Sequence, residues 1–118
     1  MKLLIVDDSM VMRRALTRSL HSKDFEEIRA ASNGLLALEQ FRDFLPDVVT
    51  LDLTMPQLGG IETLEEMLKI KPATKIMIVS ALADDATAIE ALTKGAEQFI
   101  TKPFTPEELG QALEEMLS

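Results

Sequence analysis

Apolar residues along the chain alternate between two textures. Short, mainly apolar runs occur at Leu3 to Val6, Ile28 to Ala31, Val48 to Leu51, Ile76 to Val79 and Gln98 to Ile100. Between them lie longer stretches, 10 to 21, 35 to 45, 61 to 70, 84 to 94 and 106 to 117, in which apolar positions return every three or four residues. The first texture predicts strands and the second amphipathic helices. Five strand-helix repeats of this length predict right-handed crossovers and a parallel sheet covered on both faces. Punctuation agrees with the division. Asn33-Gly34 and Pro46 bracket the second helix, Pro72 ends the third and Gly95 the fourth. Thr105-Pro106-Glu107-Glu108 reads as a capping box with proline at the first helical position.

Polarity also orders the strands. Leu3 to Val6, Val48 to Leu51 and Ile76 to Val79 are almost wholly apolar, which suits the centre of a sheet, whereas Arg29 and Gln98 suit its edges. The order expected is 2-1-3-4-5, that of a flavodoxin-like doubly wound α/β fold. With 118 residues and no repeat, low-complexity segment or linker, one domain over 1–118 is expected.

Composition narrows the function. Hydrophobic residues at 47% and charged residues at 27% describe a soluble globular chain. A formal net charge of -8 argues against direct nucleic-acid binding. The absence of cysteine removes disulfide and thiolate chemistry and suits the cytoplasm. Asp7 and Asp8 cut the opening apolar run too short for an export signal, and the apolar stretch from Lys75 to Ala83 is too short to span a bilayer, so no membrane insertion is expected.

In open α/β sheets ligands bind beyond the carboxyl ends of the strands. There the chain turns polar: Asp7 and Asp8 follow the first strand, Asp52 the third, Ser80 the fourth and Lys102 the fifth. With strands 1 and 3 adjacent, three carboxylates share one crevice. Like charges about 4 Å apart repel by roughly 4 kcal/mol at an effective dielectric of 20, so the cluster calls for a cation. Mg²⁺ fits, because it takes one or two carboxylates and keeps positions for phosphate oxygens, and Mn²⁺ is an acceptable substitute.

Ile5-Val6-Asp7-Asp8-Ser9, Asp52-Leu53-Thr54-Met55-Pro56 with Gly60, Val79-Ser80-Ala81 and Phe99-Ile100-Thr101-Lys102-Pro103-Phe104 resemble, along the whole chain, the bacterial response-regulator receiver family. Asp7-Asp8-Ser9 with Met12-Arg13-Arg14 is most similar to the single-domain chemotaxis members. The resemblance implies that Asp52 accepts a phosphoryl group from a phosphohistidine of a histidine kinase or phosphotransfer domain. It further implies that Asp8, Asp52 and the backbone carbonyl of Thr54 hold Mg²⁺, with Asp7 acting through water or a shared site, and that Lys102 pairs with the incoming group. Phosphoryl transfer concentrates charge on equatorial oxygens, and a metal with an ammonium is what such a transition state needs. Ser80 matches the hydroxyl that bonds the phosphate, and Phe99 the aromatic that moves inward with it. A cis Lys102–Pro103 bond belongs to the same resemblance, while base rates alone favour trans. Such a protein is a phosphorylated switch rather than a true enzyme, although it catalyses its own phosphorylation and dephosphorylation, and is expected to be a monomer.

The implied output surface is Ala81, Leu82, Ala83 and 84 to 98, facing a protein effector, which in chemotaxis is the flagellar motor switch. The Arg13, Arg14, Thr17, Arg18 and His21 face of the first helix suits an acidic kinase or phosphotransfer partner, against the blander reading of a solvated surface. Three positions depart from the family pattern. Gly59 replaces an expected Asp or Asn, and Thr54 and Leu82 lack the acid or amide groups that orient attacking water, which implies slow self-dephosphorylation. Three rival readings stand beside this one. A receiver of a DNA-binding regulator shares all the site chemistry. A haloacid-dehalogenase-type phosphatase is suggested by Asp52-Leu53-Thr54, but Thr54 does not supply its proton donor. An FMN binder is opposed by Asp7 and Asp8 and by the lack of Trp and Tyr.

Overall fold

In the computed structural model, which describes residues 1–20, 25–54, 59–81 and 85–118, strands and helices alternate from end to end. The elements are β1 (Lys2–Val6), α1 (Met10–Leu20), β2 (Glu27–Ala31), α2 (Gly34–Phe44), β3 (Val48–Leu51), α3 (Gly60–Ile70), β4 (Lys75–Ser80), α4 (Asp85–Thr93), β5 (Gln98–Thr101) and α5 (Pro106–Leu117). The five strands pair in parallel in the order β2-β1-β3-β4-β5, as the polarity of the runs predicts.

Alternation along each strand divides the core in two. Leu4, Val6, Val49, Leu51, Ile76 and Ile78 point to one face, where they meet Phe41 of α2, Leu64 and Met67 of α3 and Ala91 of α4. Leu3, Ile5, Val48, Met77, Val79 and Ile100 point to the other, against Leu16 and Leu20 of α1 and Leu109, Leu113 and Met116 of α5. Central strands covered on both sides are mostly apolar, and β3 is buried at every position, Thr50 included. The edge strands β2 and β5 keep exposed residues at Glu27, Ala30 and Thr101.

Helix boundaries follow local chemistry. The Asn33 side chain accepts the Leu36 N–H at 2.9 Å and starts α2 one residue before the expected range. At the other end Leu45 adopts a left-handed backbone (φ 49) and closes α2 by donating its N–H to the Phe41 carbonyl. Pro46 forbids continuation, and the Lys71 ammonium takes the Leu45 carbonyl at 3.0 Å. The Thr105 capping box is formed in both directions, Glu108 N–H to Thr105 Oγ1 at 3.1 Å and Thr105 N–H to Glu108 Oε1 at 3.3 Å. Strand β4 extends one residue further than the apolar run, so Ser80 ends the strand instead of following it.

Candidate functional site

Register decides what meets at the carboxyl edge. Val6 is paired with Leu51 and Leu51 with Ile78, so Asp7 and Asp52 leave β1 and β3 side by side. The backbone ladder continues through both, the Asp52 N–H donating to the Val6 carbonyl at 2.9 Å and the Asp7 N–H to the Ala31 carbonyl at 3.1 Å. Asp7 and Asp52 are only 1% and 2% exposed, while the neighbouring Asp8 is exposed. Each buried carboxylate then turns back on its own chain. Asp7 Oδ1 accepts the Ser9 N–H at 2.9 Å, and Asp52 Oδ1 accepts the Thr54 N–H at 3.0 Å, two Asx-type turns.

A glycine makes room for this edge. A Cβ at Gly60 would stand 2.4 Å from the Leu53 Cα and 3.0 Å from the Asp52 carbonyl oxygen, so α3 starts directly against the backbone that carries Asp52. Gly59 offers no side-chain cap to α3, and its carbonyl accepts from Thr63 N and Thr63 Oγ1 at 2.9 and 2.8 Å.

Lys102 arrives from β5. Its N–H donates to the Ser80 carbonyl at 2.9 Å, the Lys102–Pro103 bond is cis, and its Nζ donates to Asp7 Oδ2 at 2.7 Å and Asp52 Oδ2 at 3.3 Å. Burial alone would lower the Lys102 pKa; the Asp7 hydrogen bond and the charges of Asp52 and Asp7 outweigh it and hold the ammonium above its ordinary value. One cation therefore answers two buried anions, and Asp8 adds a third negative charge at the rim. Oxygen atoms of Asp7, Asp8 and Asp52 lie within 4.8 Å of one another, an arrangement able to hold a metal ion. Three carboxylates are a donor set for a hard divalent cation.

Ser80 is fully buried, and Phe99 is half-buried among the residues under α2, α3 and α4. Alternation along β4 and β5 puts both on that same face, with Ser80 two residues beyond Ile78, the register partner of Phe99. Ala81 is exposed; Leu82, Ala83, Met55, Pro56 and His21 lie outside the described residues. Two contributors to the site escape sequence reasoning. Ser9 Oγ accepts the Met12 N–H at 3.2 Å while its own N–H orients Asp7, and Arg13 Nη1 donates to the Asp7 carbonyl at 2.8 Å. A serine directly before a helical run was the available signal for the first; for Arg13, half-buried on the basic face of α1, none was available.

The fold and the acidic edge define a class. Residues 3–114 match the response regulator receiver domain, and the chain belongs to that family. It is 40% identical over 114 residues to the chemotaxis protein CheY of Listeria monocytogenes, covering 97% of this chain and 96% of that one. To the chemotaxis protein CheY of Thermotoga maritima it is 41% identical over 112 residues, covering 95% and 93%. The fold is similar, with a TM-score of 0.94 and 31% identity over 99% of this chain and 89% of the other, to a chain in the CheX-CheY-BeF3-Mg²⁺ complex from Borrelia burgdorferi. The chain is thus a CheY-like receiver domain of two-component signalling. Among the described residues no helix is long and apolar enough to cross a membrane.

Proposed function

We propose that this receiver is a cytoplasmic switch that takes a phosphoryl group on Asp52 from the phosphohistidine of a histidine kinase or phosphotransfer domain. The observation that carries this reading is the meeting of the Asp7, Asp8 and Asp52 oxygens within 4.8 Å of one another, with Lys102 Nζ 3.3 Å from Asp52. Asp8, Asp52 and the Thr54 carbonyl would hold Mg²⁺, with Asp7 acting through water, and the ion would supply charge neutralisation for the phosphoryl oxygens. Asp52 is the nucleophile. Lys102, resting between two carboxylates, turns its ammonium toward the incoming oxygens. The Ser80 hydroxyl then bonds the phosphoryl group, and Phe99 moves inward on the face it shares with Ser80, reshaping Ala81 and the surface of α4 and β5 for a protein effector.

The similarity to chemotaxis proteins favours a chemotaxis role, for which the effector proposed is a flagellar motor switch. The exposed Arg14 and Arg18 of α1 offer a positive surface to an acidic kinase or phosphotransfer partner on a chain whose net charge is -8. Lacking an acid or amide at Thr54 and Leu82, the domain releases its phosphoryl group slowly, over minutes rather than seconds. Incubation with acetyl phosphate, with and without Mg²⁺, followed by intact mass tests the core of the proposal. Wild type gains one phosphoryl group only with metal and Asp52→Asn gains none; metal-independent gain, or gain in the variant, overturns it.

A further inference from the structure

One edge of the sheet is open and lies between two grooves. Among the described residues β2 is the terminal strand, paired with β1 alone. The Asp7 N–H donates to the Ala31 carbonyl at 3.1 Å, so Ala31, Arg29 and Glu27 turn their backbone groups toward β1. Backbone groups alternate along a strand, which turns the N–H and C=O of Ile28 and Ala30 outward. Charged side chains usually guard such an edge. Here Arg29 is drawn aside, over the Phe44 ring at 4.4 Å and onto Asp43 Oδ2 at 2.9 Å.

The grooves differ in charge. On the α1 face a groove of about 600 Å³ is lined by Met10 and Ala30 and carries Arg13, Arg14 and Arg18. Helix α1 contains no acidic residue, and among the described residues Arg14 and Arg18 have no acidic partner. On the α2 face a groove of about 380 Å³ carries Leu36, Glu39 and Asp43 beside Arg29. Glu39 is exposed and, among the described residues, pairs with no cation.

We propose that the outer edge of β2 takes up an extended segment of a partner protein as a further strand, its acidic side chains over α1 alternating with basic ones over α2. Main-chain hydrogen bonds to Ile28 and Ala30 hold the segment, and the two grooves select it. The spacing agrees. Arg14 and Arg18 are one turn apart, about 6 Å along α1, and alternate residues of a strand repeat at about 6.6 Å. A lysine between two such acids lays its stem on Leu36 and its ammonium on Glu39. A second copy of this chain is a poor occupant. Two β2 edges paired about a twofold axis run antiparallel with like faces together, which brings arginine groove against arginine groove. Arg14 and Arg18 are also the residues offered above to an acidic phosphodonor, but strand addition needs neither donor nor phosphorylation.

The test uses the unphosphorylated full chain and a capped peptide of alternating glutamate and lysine, followed by amide NMR and hydrogen exchange. Saturable shifts along β2 are expected, with exchange of the Ile28 and Ala30 amides slowed about tenfold or more at saturation. A peptide of the same composition in block order, and the alternating peptide N-methylated along its backbone, are expected to bind about tenfold more weakly or less. Ala30→Pro removes an outward N–H and leaves the β1 ladder intact, so it is expected to keep the fold and to lose the slowing at Ile28. Should that variant not fold, the methylated peptide on wild type decides. Unslowed exchange at Ile28 and Ala30, equal binding of the block or methylated peptide, undiminished binding by folded Ala30→Pro, or a β2-paired dimer in place of the complex would overturn the inference. None of these outcomes bears on Asp52.

Discussion

The ammonium of Lys102 lies 2.7 Å from Asp7 Oδ2, joining the end of β5 to the end of β1 across two intervening strands. Since Asp7 is 1% exposed and Asp52, at 3.3 Å from the same nitrogen, 2%, Lys102 is the counter-ion of two buried carboxylates. Removing one partner of a buried pair strands the other charge, at a cost of about 3–5 kcal/mol. Lys102→Met is therefore expected to lose about 3 kcal/mol of stability to urea without Mg²⁺, and to recover most of it, with tighter metal binding, when Mg²⁺ is added. Its phosphorylation is expected to slow sharply. Equal stability of the variant and wild type in metal-free buffer would contradict the counter-ion role.

Two glycines give opposite expectations for the same substitution. At Gly60 a methyl group would press on the Leu53 Cα and Asp52 carbonyl, backbone that has no other place to go, whereas at Gly110 it meets nothing within 4 Å. Gly60→Ala is expected to destabilise by about 1–3 kcal/mol and to impair phosphorylation, because relief requires moving the strand end that carries Asp52. Gly110→Ala, inside α5, should stabilise by about 0.5–1 kcal/mol without touching the site. Thermal melts and loading rates of the two variants check both.

At the opposite edge of the sheet Asp47 has its pKa lowered, first by the Lys2 N–H donating to its Oδ2 at 2.8 Å, then by the Lys71 ammonium at 3.3 Å from its Oδ1. The unfolded chain then binds this proton at a higher pH than the folded one. The stability contributed is fully present above the ordinary aspartate value of about 4 and is lost as pH falls through the lower, folded value. Partial exposure keeps the effect small. Asp47→Asn is expected to be less stable at neutral pH and to show a shallower loss on acidification below about pH 4, measured by urea titration across that window.

Separating the surface of α1 from the chemistry of Asp52 needs two phosphoryl donors. Arg14 and Arg18 are exposed, and Arg13 is spent on the Asp7 carbonyl. Arg14→Glu with Arg18→Glu is expected to leave loading by acetyl phosphate unchanged and to slow transfer from a phosphorylated kinase or phosphotransfer domain at least tenfold, with weaker salt dependence. Equal loss with both donors would place the effect in the site instead of at a docking surface.

Much of this molecule is legible in its residues because central parallel strands, covered on both faces, are almost wholly apolar. The runs at Leu3 to Val6, Val48 to Leu51 and Ile76 to Val79 therefore announce the middle of the sheet, and the acids and the lysine after them the site. Legibility fails where contacts depend on tertiary geometry. Helix α4 buries only Ala91 and has little periodicity to fix its ends. Arg13 reads as one more surface arginine until its guanidinium is seen on the Asp7 carbonyl. Thr54 reads as a residue lacking an acid, while its hydroxyl rests on the Asp52 carboxylate, a contact decided by the turn after β3.

Reductive trapping puts the central claim to its most direct test. Borohydride converts an aspartyl phosphate to homoserine, so loading the wild-type chain with a phosphohistidine donor and Mg²⁺, reducing it and mapping its peptides reveals the acceptor. Homoserine at position 52 alone is the expected result. Homoserine at position 7 or 8, or a phosphorylated chain that yields none, would contradict the account.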